Sequence, residues 1–150
     1  EIIRPSAFYG KREVEDRVVS KFILNAMQGK TLKVNGPSEV LDFSHVDDTS
    51  EGIALAVLKD NPRFDIYNIT RSSDRLYTLE DAARLAIDIA GRGELEINNR
   101  DLSFPSRGRL SIVRARTDLG YCPSINVEEG FLRYYEWFKN SPYWQQKLNG

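Results

Sequence analysis

Cysteine, histidine and methionine are nearly missing from this chain, which carries one of each in 150 residues. A single thiol, Cys122, forms no internal disulfide, and the lone imidazole, His45, has no second histidine or cysteine with which to build a metal site. Charge of one sign is also missing. Lysine and arginine number 21 against 22 aspartates and glutamates, so no general field gathers nucleic acid or an anionic membrane. A small anion gripped by a few placed side chains stays open. Nothing resembles a signal peptide, and no apolar run reaches bilayer-spanning length. The expectation is one cytoplasmic domain spanning residues 1–150.

Glycines in a phosphate-cradling arrangement are missing too. A dinucleotide fingerprint needs them where the chain turns tightly and where backbone approaches a pyrophosphate at a helix N-terminus. Gly10, Gly29, Gly36 and Gly52 lie far apart, and Gly91 and Gly93 lack a third member. One Tyr-x-x-x-Lys does occur, at Tyr135 and Lys139. It sits in the amphipathic run from Val127 to Lys139, where a tyrosine and a lysine one helical turn apart are read as structural. No catalytic residue and no metal ligand is nominated.

What is present is a clear order of elements. Glu1 to Arg4 reads as a short strand stopped by Pro5, its Ile2-Ile3 pair suited to burial on both faces. From Glu13 to Gln28, Val14, Val18, Phe22, Ala26 and Val19, Ile23, Met27 recur at helical spacing, and Gly29 follows as a C-terminal cap. Thr31 to Val34 and Val40 to Val46 alternate about Asn35-Gly36, which suggests a hairpin. Asp48 with Glu51 suggests a capping box opening a helix from Thr49 to Lys59. Phe64 to Thr70 is a strand. Thr78 with Asp81 opens another helix, closed by Gly91, and Glu94 to Asn98 is a further strand. Asn99 to Arg109 is a surface loop. Ser111 can cap a short helix ended by Gly120, Asn126 can cap the aromatic helix, and Pro142 begins a tail.

The segments Arg4-Pro5-Ser6-Ala7-Phe8-Tyr9-Gly10 and Val40-Leu41-Asp42-Phe43-Ser44-His45-Val46-Asp47-Asp48 resemble paired motifs of the extended short-chain dehydrogenases/reductases, the NAD-dependent nucleotide-sugar epimerases and dehydratases. Later pieces are similar as well: Ile66-Tyr67-Asn68-Ile69, Thr78-Leu79-Glu80-Asp81, the run from Arg107 to Arg116, Leu119-Gly120-Tyr121 with Pro123, and Glu128-Glu129-Gly130. They keep the family's order over nearly the whole chain. The resemblance implies an α/β fold, the C-terminal part of a Rossmann-like epimerase fold, made of the last sheet strands and a mixed α/β substrate-binding lobe. In that family the glycine motif and the catalytic Tyr-x-x-x-Lys precede the first of these segments, so the N-terminal Rossmann half is expected to be absent here.

The same resemblance nominates site residues. Arg107 stands where an arginine grips the diphosphate of a nucleotide sugar, and a planar guanidinium fork suits that task. Leu41 stands where many epimerases carry a second phosphate-binding arginine, and Ala7 where many carry a substrate-binding asparagine. Ser6 and Ala7 are placed near the sugar, Pro5 near the nicotinamide, and Lys33, Val34 and Asn35 near the base. The competing reading of Asn35 is a plain turn residue. His45 reads as a packed histidine. Asp42 and Asp47, an odd number apart, do not make an acid–base pair.

The implied function is the substrate-binding portion of an NAD(P)-dependent nucleotide-sugar epimerase or dehydratase, resembling UDP-glucose 4-epimerase. NAD or NADP serves the intact family, and none is expected to bind this chain alone. Partners are a nucleotide-diphosphate sugar and a further copy of the chain, with no nucleic acid and no membrane. The competing reading is a non-catalytic nucleotide-sugar-binding or self-associating module.

Overall fold

In a computed structural model that describes residues 2–13, 16–103, 105–142 and 145–146, the helical stripe of the N-terminal third forms helix α1 (Val18–Met27). It turns Val19, Phe22, Ile23, Ala26 and Met27 inward, as a 3.6-residue period demands. The helix begins later than its apolar pattern suggests, after an extended Arg17 that offers no side-chain cap. Its end follows the expectation. Gly29 has φ +67°, its N–H donates to Ala26 O at 2.9 Å, and the Lys30 N–H donates to Asn25 O at 2.8 Å. This doubly bonded closure needs a left-handed residue, which glycine adopts without a Cβ clash. Glu1, Val14 and most of the tail beyond Pro142 lie outside the described residues.

Four two-stranded sheets carry the rest. Strand β1 (Ile2–Pro5) runs parallel to β6 (Ile66–Ile69), and β2 (Phe8–Tyr9) runs parallel to β5 (Ser44–His45). Strand β3 (Thr31–Asn35) runs parallel to β8 (Glu94–Asn98), while β4 (Val40–Leu41) lies antiparallel to β7 (Tyr77–Thr78). The hairpin expected about Asn35-Gly36 is therefore not formed. Gly36 turns with φ +77°, but its N–H continues the ladder to Asn98 O at 3.0 Å, and the Glu39 N–H returns to Gly36 O at 3.0 Å. The turn leads the chain into β4, which pairs with β7 instead of folding back along β3.

The first strand also departs from expectation, in its burial. Ile2 and Ile3 pair with Ile66 and Tyr67 of this chain. The strand ends at Pro5, as expected, with Pro5 as its last residue opposite Ile69. Burial on both faces does not occur, since Ile2 is 54% exposed and β1 has one strand neighbour among the described residues.

Helix α2 (Val46–Val57) starts three residues ahead of the expected Thr49, because the His45 side chain caps it by accepting the Asp47 N–H. Asp48 is then no cap. Its buried carboxylate accepts the N–H groups of Ser124 at 3.1 Å and Ile125 at 3.0 Å. Helix α3 (Leu79–Ala90) shows the expected capping box between Thr78 and Asp81 and ends on a left-handed Gly91. The expected helix after Ser111 is a π-helical turn (Ala115–Leu119) closed by Gly120. Helix α4 (Val127–Asn140) is capped by the Asn126 side chain, which accepts the Glu129 N–H.

Two cores result. The larger unites α1, β3, α3 and α4 with Tyr9 and Phe43. Phe131, Tyr134 and Phe138 of α4 have no exposed surface there, so the apolar face of this helix is buried within the chain. The smaller core gathers Ala56, Tyr67, Ile69, Ile112, Ala115, Leu119 and Tyr121. No helix of the described residues is long and apolar enough to cross a membrane.

Candidate functional site

A cleft of about 820 Å³ opens over α1 and β3, beneath the loop that follows β8. Its walls bring together Ala7, Lys33, Asn35 and Arg107, residues remote in sequence. Alternation along β3 explains the arrangement: Leu32 and Val34 point into the larger core, whereas Lys33 and Asn35 point out. Val34 has no exposed surface. Val34, expected near the base, is accordingly turned away from the cleft. Ser6 and Pro5 are outside this lining; Pro5 is exposed at the carboxyl end of β1. Ala7 has φ +40°, a left-handed conformation uncommon for a residue with a Cβ, and its carbonyl accepts the Ser44 N–H at 3.3 Å.

Arg107 hangs from a clamped loop. On one side, the Ser106 hydroxyl reaches the Glu39 carboxylate at 3.4 Å. On the other, the Leu110 N–H donates to Asp42 at 3.1 Å. The neighbouring arginines are occupied: Arg100 pairs with Glu39 at 2.8 Å and Arg109 with Asp74 at 2.7 Å. Arg107 is exposed and has no acidic partner among the described residues. A guanidinium held by its backbone and left without a carboxylate is suited to an anionic ligand. Leu41 also lines the cleft and supplies it with an apolar surface where the resemblance expects a cation.

Asp42, set aside as an acid or base, proves to be an organiser. It is 2% exposed, and its two oxygens accept the Ser72 N–H at 2.9 Å and the Leu110 N–H at 3.1 Å. Burial raises its pKa above the ordinary carboxylate value, partly offset by those bonds. His45 is buried against Tyr9, with ring centroids 5.8 Å apart. Its Nδ1 accepts the Asp47 N–H at 3.2 Å, and burial depresses its pKa. Both features keep it neutral and structural. No cluster of metal-ligating side chains occurs among the described residues.

Glu13 was missed by sequence reasoning. It lines the cleft although its side chain is only 6% exposed, and its Oε2 is buried without a hydrogen-bond partner. Burial, opposed by Arg17 and by the Tyr134 hydroxyl, pushes its pKa up to about 7. Glu39 was missed for another reason: its pairing with Arg100 joins segments about 60 residues apart, which local patterns do not reveal.

Comparison with known proteins accords with this geometry. Residues 2–70 match the model of the NAD dependent epimerase/dehydratase family. The trifunctional UDP-glucose 4,6-dehydratase/UDP-4-keto-6-deoxy-D-glucose 3,5-epimerase/UDP-4-keto-L-rhamnose-reductase of Arabidopsis thaliana is 28% identical, over 98% of this chain and 22% of its own length. Over these residues the chain is similar to the NAD-dependent epimerase/dehydratase family. Another relative, UDP-glucuronic acid decarboxylase 1 of Xenopus tropicalis, is 30% identical over 83% of this chain and 29% of its own length. The epimerase fold is shared with UDP-glucuronic acid 4-epimerase from Bacillus cereus, solved with UDP-glucuronic acid and NAD. That match has a TM-score of 0.83 at 22% identity and covers 92% of this chain and 44% of the other. The chain thus spans less than half the length of these epimerase/dehydratase relatives.

The described residues do not themselves fit the pyrophosphate of NAD. At Gly52 and Gly10 protein side chains fill the space: a Cβ on Gly52 would meet Ile69 at 2.5 Å, and one on Gly10 would meet Val46 at 2.6 Å. The open glycines Gly91, Gly108 and Gly120 do not stand at a helix N-terminus. Among the described residues no glycine cradle stands at a helix N-terminus for a dinucleotide.

Proposed function

We propose that this chain forms the nucleotide-sugar-binding part of an NAD-dependent epimerase or dehydratase, with the cleft as the ligand site and Arg107 as the diphosphate anchor. The clamped Arg107 beside an 820 Å³ cleft supports this reading above all others. Lys33 and Asn35 serve the base, with Val34 holding β3 from beneath. Ser6 and Ala7 serve the sugar, and Pro5 the nicotinamide of a cofactor whose phosphates are held outside residues 1–150. The hydride chemistry of the family is likewise carried elsewhere, since Tyr135 and Lys139 lie on α4, outside the cleft lining. Residues 1–150 alone are expected to show no NAD binding by calorimetry and no epimerisation of UDP-glucose.

Replacing Arg107 with alanine in the intact protein is expected to weaken UDP-glucose binding by about 1.5–3 kcal/mol, as loss of charge-assisted hydrogen bonds does. Arg116→Ala serves as the control and should leave affinity unchanged. Equal losses would reduce Arg107 to one surface cation among several.

A second reading, self-association, has its own observation. The backbone edge of β1 opposite β6 has no strand partner among the described residues, and Ile2 beside it is 54% exposed. Such an edge is a template for strand addition. Light scattering at micromolar concentration should then report dimers, and a monomer would remove this reading without touching the cleft.

A further inference from the structure

We infer that Glu13 sets which sugars the cleft accepts: it favours a hexose presenting hydroxyl groups at the Ala7–Phe8 end and disfavours one presenting a carboxylate there, a uronic acid. This rests on the nucleotide-sugar reading of the cleft and deepens it. Among relatives, both kinds of ligand occur by name, UDP-glucose and UDP-glucuronic acid.

Three observations carry the inference. Glu13 is tied to the segment leaving β2, its N–H donating to Gly10 O at 3.1 Å, and it lines the cleft with Ala7 and Phe8. Its side chain is 94% buried, being 6% exposed, and Oε2 has no hydrogen-bond partner. Its one cation, Arg17, stands 3.9 Å away and is itself half exposed, too distant and too hydrated to neutralise it fully. A buried carboxylate oxygen without a donor is costly. A ligand hydroxyl satisfies it, whereas a second carboxylate adds like-charge repulsion in a poorly screened place.

The groups facing Glu13 are Arg17 from its own segment, the Tyr134 hydroxyl from α4 and the backbone N–H of Ser20 in the first turn of α1, which the carboxylate accepts. Tyr134 stays neutral, because burial drives its pKa up. Asp16 and Lys21, which share this end of the cleft, pair with each other at 3.3 Å. Glu13 is therefore the group whose charge changes near neutrality, its pKa lying at about 7. Discrimination should strengthen as pH rises through that value.

The test is calorimetric titration of the intact protein with UDP-glucose and with UDP-glucuronic acid at pH 6 and pH 8, a range in which neither ligand changes charge. The expected result is roughly tenfold tighter binding of UDP-glucose at pH 8, narrowing to about two- or threefold at pH 6. Glu13→Gln should show the narrow ratio at both pH values. If that variant fails to fold, the pH series on the unsubstituted protein decides alone. Equal affinities at pH 8, or a ratio indifferent to pH, would overturn the inference and leave the nucleotide-sugar reading standing. Failure of both ligands to bind would remove that reading and the inference together.

Discussion

The α1–α3–α4 side of the molecule and the β1–β6–α2 side are built from similar elements but finished differently. On the first, α1 and α3 close over β3 with α4 packed on both, and Tyr9, Phe43 and Phe131 meet edge-on or tilted with centroids 5.2–6.2 Å apart. On the second, Tyr67, Ile69 and Tyr121 are sealed beneath α2, while Val57 and Leu58 at its end are 71% and 80% exposed. One region completes its own core. The other is tightly packed inside and apolar outside, which teaches that interior packing and surface completion are separate properties. The cleft belongs to the first region, and a pre-organised site gains from a scaffold that closes by itself.

The largest effect should come from opening the closed side. Phe131→Ala removes a fully buried ring and should cost about 3–5 kcal/mol in urea unfolding; a loss below 1 kcal/mol would mean that α4 is not part of the core. On the other side, Gly52→Ala forces a Cβ to within 2.5 Å of Ile69 and 2.8 Å of Tyr121. That overpacking should cost about 1–3 kcal/mol. A neutral result would show the interior under α2 to be loose, and the contrast drawn above would narrow to one of surface alone.

A smaller effect concerns pH. Glu13 binds its proton more tightly in the folded protein, near pH 7 against 4.5 in the open chain. Stability should therefore be highest below about pH 4.5 on this account and decline as pH rises toward 7, by about 1–2 kcal/mol after allowance for solvent screening. Glu13→Gln should abolish that slope, as chemical unfolding at several pH values would reveal. The smallest effect belongs to Leu58→Ser, expected to change stability by less than about 0.5 kcal/mol because the side chain is already in water. A substantial loss would show that this face is covered in solution.

Elements with local chemistry were legible in the sequence. Thr78 and Asp81 announce α3, Asn126 announces α4, and Gly29 marks the end of α1, because each works through bonds to residues three to five positions away. Parallel pairing was not legible. Leu32 finds Leu95 across more than 60 residues, and nothing in the alternation of Thr31 to Val34 distinguishes that partner from the nearer Val40 to Val46. The cap of α2 was misplaced because Asp48 has the right chemistry for a cap, but tertiary bonds to Ser124 and Ile125 claim it. In the cleft, motif register brought Ala7, Lys33, Asn35 and Arg107 to one place. It missed Glu13, whose significance comes from burial rather than spacing.

The grip of Asp42 on two distant amides bears on how heredity would read this protein. A mutational screen scored by ligand capture would flag Asp42→Ala beside Arg107→Ala, because freeing Leu110 lets the arginine wander. The two would part company under heat: the first should also melt early, having surrendered a buried acceptor shared by Ser72 and Leu110. A genotype map of the site would thus contain a residue that never meets the ligand, and variants at Asp42 would be inherited as binding defects although their fault is architectural.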